Sequence, residues 1–174
     1  MRPLTEAQVR EAIMNADADE IAQIGMPHDF VITDWDYLDF LAWRDPVSSR
    51  RGVVVIEHGG RATGILLRST DPGRTRSGMC NICRTLQPGN QVSLFTARRG
   101  GAKGARGDSA GTYICADLSC HENVRLAHPL APNEVRSPGQ ADMRLDGTRL
   151  RMESFVTRVL SEEGGGAGSD APRG

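Results

Sequence analysis

The sequence predicts an α+β fold, a small antiparallel sheet flanked by N-terminal and C-terminal helices. Three observations predict it. Short β-branched runs in the middle are separated by glycine pairs. Both ends carry apolar residues at helical spacing. All four cysteines fall into two close pairs within the β-rich middle.

The elements follow in order. Thr5 with Gln8 three residues on is a capping-box pair, and Val9, Ile13 and Ala16 then recur at helical spacing. A second helical piece runs from Asp19 to Ile24 and stops at Gly25 and Pro27. Residues 35–43 hold both tryptophans, and Leu38, Leu41 and Ala42 share one face if this stretch is a helix, which Asp45-Pro46 ends. Val53 to Ile56 is a strand, Gly59-Gly60 a hairpin turn, and Thr63 to Leu67 the return strand. Asp71-Pro72-Gly73 makes another turn. Val92 to Ala97 and Tyr113-Ile114 are strands, and Gly100 to Gly111 between them is a flexible loop or hairpin tip. Leu118 to Arg125 begins a helix closed by Pro129 and Pro132. The last helix runs from about Asp142 or Asp146 to Ser161, with Met152, Phe155, Val156, Val159 and Leu160 as its apolar stripe. Gly164 to Gly174 has nothing apolar to bury and is expected to be disordered. The expected division is a helical segment over 1–34, a finger domain over 35–161 and a tail over 162–174.

Composition narrows the function. With 39% hydrophobic and 25% charged residues the chain can build a packed core. No apolar run approaches the roughly 18 residues that span a bilayer, and MRPLTEAQVREAI lacks the apolar stretch of a secretory leader. The expectation is a soluble, cytoplasmic protein with no membrane partner, whose cysteines are reduced or metal-bound. The net charge of −1 hides an asymmetry: residues 1–60 carry 5 basic and 11 acidic side chains, residues 61–125 carry 10 and 4. A basic module of this kind favours an acidic partner, nucleic acid or protein.

The cysteine pairs are Cys80-x2-Cys83 and Cys115-x4-Cys120, separated by 31 residues. A C-x2-C knuckle turns two thiolates onto one ion and a second pair completes a tetrahedron, as in structural zinc sites built from four cysteines. A short, glycine-rich module gains much of its folding free energy from such a metal. A knuckle, a hairpin, then a last ligand in the first turn of a helix describe a treble clef, with Cys115 at a strand end and Cys120 at a helix start. The alternatives are a redox pair, which lacks the expected strand and long helix around it, or His121 or His128 replacing one cysteine. Four thiolates leave no position for a catalytic water.

Other signals are weaker. Arg98, Arg99, Lys103 and Arg106 load the glycine-rich loop with positive charge, either as a finger for phosphate or an acidic protein face, or as a solvated tip. Asp34, Asp36 and Asp39 form a solvated acidic face. Trp35 and Trp43 are core anchors. No Ser/His/Asp or Cys/His arrangement indicates catalysis, so an enzyme is not expected.

The segments Leu38 to Pro46, Gly64 to Arg68, Met79-Cys80-Asn81-Ile82-Cys83, Val92 to Arg99 and Gly111-Thr112-Tyr113-Ile114-Cys115-Ala116-Asp117-Leu118-Ser119-Cys120 together resemble the FBP family. Its members carry a C-terminal treble-clef zinc finger and include elongation factor G-binding and fusidic-acid-resistance type proteins. The resemblance covers about residues 35–160. It implies Zn2+ on Cys80, Cys83, Cys115 and Cys120, and elongation factor G as partner, with Arg84, Arg98, Arg99, Lys103 and Arg106 facing it. The chain is closer to the short bacterial members, because residues 1–34 are too few for the helical bundle of the resistance proteins. The alternative is an RNA- or ribosome-binding zinc protein using the same basic loop; the third class, a zinc enzyme, requires a ligand set with an open position.

Overall fold

Four adjacent aliphatic residues are the mark of a strand covered on both faces. The computed structural model describes residues 1–69, 77–126 and 139–161, and it places Val53 to Ile56 within such a strand. The helices are α1 (Glu6–Ala12), α2 (Ala18–Ala22), α3 (Gly101–Ala105), α4 (Cys120–Asn123) and α5 (Gln140–Leu160). The strands are β1 (Leu41–Arg44), β2 (Arg51–His58), β3 (Arg61–Ser69), β4 (Gly78–Met79), β5 (Leu86–Gln87), β6 (Val92–Arg98) and β7 (Ser109–Cys115), and a 3-10 turn spans Phe30–Ile32. One sheet has the order β1-β2-β3-β6-β7, antiparallel throughout, and β4 pairs with β5 apart from it.

Alternation along the strands sends side chains to opposite faces. Val54, Ile56, Ile65 and Leu67 share one core with Met152, Phe155, Val156 and Val159 of α5. Val53, Val55, Leu66, Leu41 and Trp43 share the other with Val9, Ala12, Ile13 and Ile24. The sheet is therefore a middle layer, and residues from the first 34 positions cover one of its faces.

Several local expectations hold. Thr5 and Gln8 close a reciprocal capping box at 3.3 and 2.8 Å, and Asp17 with Glu20 forms a second before α2. Gly59 and Gly60 take φ of 57° and 76°, the double left-handed turn that a two-residue hairpin needs. The apolar stripe of α5 is buried at Met152, Phe155, Val156 and Val159.

One expectation fails and another is refined. Residues 35–43 are not a helix: a turn precedes β1, whose Trp43 pairs with Val53. Phe40 and Ala42 feed one core, Leu41 and Trp43 the other, a two-sided demand that only an extended strand meets. Trp43 Nε1 also donates to the Gly25 carbonyl at 2.9 Å. The glycine-rich stretch 100–111 does form the tip of the hairpin of β6 and β7, but it is not an unstructured loop. It holds α3 and the start of β7, and Gly100 N donates to Val159 O at 2.9 Å. Gly104 is buried, and a Cβ there would lie 1.8 Å from Arg99 O. These glycines permit close backbone approach. The turn at 71–73, the prolines 129 and 132, His128 and the tail 162–174 lie outside the described residues.

The charge asymmetry is partly spent inside the molecule. Glu20 of the acidic segment pairs with Arg68 and, at 2.8 Å, with Arg98. Asp39 pairs with Arg125 at 2.9 Å.

Candidate metal centre

The first cysteine pair sits on the hairpin of β4 and β5. Cys80 N donates to Thr85 O at 3.1 Å and Arg84 N to Cys80 O at 3.0 Å, which closes the knuckle. Asn81 N reaches Tyr113 O on β7 at 2.8 Å, which seats the knuckle beside the second pair. Cys115 is the last residue of β7, and Cys120 the first of α4. The wider spacing between them accommodates a turn in which Leu118 takes φ of 65° and Asp117 accepts from Ser119 N at 3.1 Å and Ser119 Oγ at 2.7 Å.

The four sulfurs are buried and lie within 4.8 Å of one another. Cys80 to Cys120 is 3.5 Å and Cys83 to Cys115 is 3.6 Å. A tetrahedron with Zn–S bonds of roughly 2.3 Å has sulfur–sulfur edges of about 3.8 Å, so the cluster has zinc dimensions. Donors are aimed at the sulfurs. Cys80 Sγ accepts from Ile82 N at 3.3 Å and Cys83 N at 3.4 Å, and Cys115 Sγ from Asn123 Nδ2 at 3.3 Å. Thr85 Oγ1 lies 2.9 Å from Cys83 Sγ and is held by Gln87 Nε2 at 2.8 Å. Burial pushes the Cys120 thiol well above its ordinary value, so the sulfurs do not ionise together without a compensating cation.

The chain matches the family described as FBP C-terminal treble-clef zinc-finger over residues 8–159. It belongs to that family. No curated relative and no solved structure matches it. Membership in the FBP C-terminal treble-clef zinc-finger family and the sulfur geometry agree on the cofactor: the site is a structural zinc site. Its four-sulfur shell is complete without water. His121 is not part of it; its ring sits edge-on to Tyr37 and Phe40, each at 6.2 Å.

The five basic residues singled out in the sequence occupy two places. Arg84 follows the knuckle, exposed, with φ of 58°. Arg98, Arg99, Lys103 and Arg106 sit at the tip of the β6–β7 hairpin, about 20 Å from the Val92 end of β6 at ~3.3 Å per residue. Arg98 is engaged: it pairs with Glu20, and its Nε donates to Asn15 O at 3.1 Å. Arg106 lies 4.0 Å from Asp108. Lys103 Nζ is buried without a hydrogen-bond partner among the described residues, and Arg99 is half-buried.

Sequence reasoning missed the supports of the centre. Arg151 Nε, from α5, donates to the knuckle carbonyl of Ile82 at 2.6 Å. Burial, and after it the charge of Arg84, lowers the Arg151 pKa. Gly147 gives the guanidinium room, since a Cβ there would lie 2.9 Å from Arg151 Nη1. A glycine inside an otherwise regular helix, four residues before an arginine, was the available signal. Thr85 and Asn123 carried none.

Proposed function

We propose that this member of the FBP zinc-finger family is a non-enzymatic interaction protein that binds elongation factor G and promotes its release from the ribosome. The observation that carries the reading is the family match over residues 8–159, joined to the resemblance of the motifs around Cys80–Cys83 and Cys115–Cys120 to elongation factor G-binding proteins. A complete four-sulfur shell suits a scaffold rather than a reaction centre. Arg84, Arg99 and Arg106, which are not bound to the acidic N-terminal segment, are the basic side chains offered to an acidic face; Arg98 contributes only if its bond to Glu20 opens. Release requires that the protein bind the departing conformation of the factor more tightly than the seated one. Cytoplasmic location accords with this partner, and no helix among the described residues is long and apolar enough to cross a membrane.

Isothermal titration of the zinc-loaded chain into elongation factor G of the same organism, at physiological salt, tests the reading. Saturable one-to-one binding is expected, and it should weaken when Arg84 and Arg106 are replaced by serine. Absence of heat from a folded, zinc-loaded chain overturns it.

A further inference from the structure

We propose that the cleft between the 3-10 turn, β1 and the loop leading into α4 docks a cationic, partly apolar segment of a partner polypeptide. This inference stands apart from elongation factor G binding and concerns a surface of the opposite charge. The cleft has a volume of about 350 Å³, and its walls include Ile32, Asp34, Tyr37, Trp43, Asp117 and Glu122.

One wall is an apolar ledge. Phe30 turns inward, its ring edge-on to Trp35 at 5.7 Å. The tight turn then throws Val31 and Ile32 outward, 93% and 82% exposed, and of these two Ile32 lines the cleft together with Tyr37, which is 45% exposed. Neighbouring aliphatic side chains this exposed add nothing to the core, and clustered exposure of this kind marks interaction surfaces.

The charge on the walls is predominantly negative, with Arg44 among the lining residues and Arg125 stacked 4.4 Å over the Tyr37 ring. Asp29 and Asp34 flank the ledge, and Asp117 and Glu122 line the cleft from the α4 side. None of these four forms an ion pair with an arginine or lysine among the described residues. Arg44 is the one arginine or lysine among the lining residues, and its guanidinium is already committed. Nη1 donates to Ala116 O at 2.5 Å, Nε to Ser49 O at 2.7 Å, and the group lies 5.0 Å above the Phe95 ring. Carboxylates in an apolar-walled concavity concentrate positive charge. An arginine or lysine satisfies both features, since its head meets carboxylates while its stem and an aliphatic neighbour cover the ledge. A nucleic acid backbone is repelled by the same field. A metal ion leaves the ledge without a role.

The full-length, zinc-loaded chain, labelled with nitrogen-15, tests this by titration with the capped pentapeptide Arg-Leu-Arg-Ile-Arg, and with the same peptide bearing glutamate for arginine. Saturable shifts confined to residues 29–37, 41–44 and 117–122 are expected with the arginine peptide alone. The exposed double substitution D34N/E122Q should weaken binding at least about fivefold, given the usual strength of such pairs. I32S, which leaves every charge in place, should weaken it as well. Shifts outside the cleft, equal affinity for the glutamate peptide, or unchanged affinity in D34N/E122Q overturns the proposal. Concentration-dependent shifts of the same residues without peptide would assign the cleft to a second copy of the chain, and overturn it too.

Discussion

Gly147→Ala is a perturbation whose sign depends on one other residue. In the interior of an exposed helix, alanine for glycine stabilises by about 1 kcal/mol. Here the new Cβ would lie 2.9 Å from Arg151 Nη1. The guanidinium tip must shift, and this shift is expected to break the 2.6 Å bond from Nε to the Ile82 carbonyl. A hydrogen bond to a charged group contributes about 1.5–3 kcal/mol. The loss exceeds the gain, so G147A should destabilise the zinc-loaded chain by about 0.5–2 kcal/mol. In an Arg151→Met background the bond is already absent, and the same substitution should stabilise by about 1 kcal/mol. Chemical denaturation of the four proteins of this cycle measures both effects, and in thermal melts 1 kcal/mol corresponds to roughly 2–4 °C at this size. Stabilisation by G147A in both backgrounds would refute the claim that the glycine exists to seat Arg151 against the knuckle.

Three further outcomes are expected. Cys80→Ser should abolish stoichiometric zinc binding and unfold the finger, because a structural zinc contributes on the order of 10 kcal/mol or more to folding; zinc analysis with circular dichroism checks it, and a folded apo protein would contradict it. Gly104→Ala should cost about 2 kcal/mol or more, because its Cβ would lie 1.8 Å from Arg99 O, a backbone atom that yields only if α3 shifts; an unchanged denaturation midpoint would contradict it. Asp45→Ala should cost about 3–5 kcal/mol, because it leaves the largely buried Arg51, 2.7 Å from the Asp45 carboxylate, without its counter-charge, and Gly25 N and Val47 N lose the same acceptor; equilibrium unfolding reads it directly.

The sequence by itself determined the elements whose cause is local. The Thr5–Gln8 box, the Gly59-Gly60 turn and the apolar stripe of α5 depend on residues within a few positions of one another, and they were legible. So was the zinc site, because cysteine spacing encodes a metal directly: Cys80, Cys83, Cys115 and Cys120 converge as their pairing implied. What only the tertiary structure decided depends on contacts distant in the chain. Residues 35–43 carry a pattern that fits a helix, and become a turn and β1 because two cores claim their alternate side chains. The glycines at 100 and 104 looked like flexibility and instead allow close backbone approach, Gly100 against Leu160 at the end of α5 and Gly104 against Arg99. The basic character of residues 61–125 looked available, but Glu20 and Asp39 occupy three of its arginines. Arg151, 68 positions beyond Cys83 in the sequence, supports the knuckle only because α5 crosses it. Local hydrogen bonds and metal ligation are written in spacing, whereas burial and charge pairing are settled only when distant segments meet.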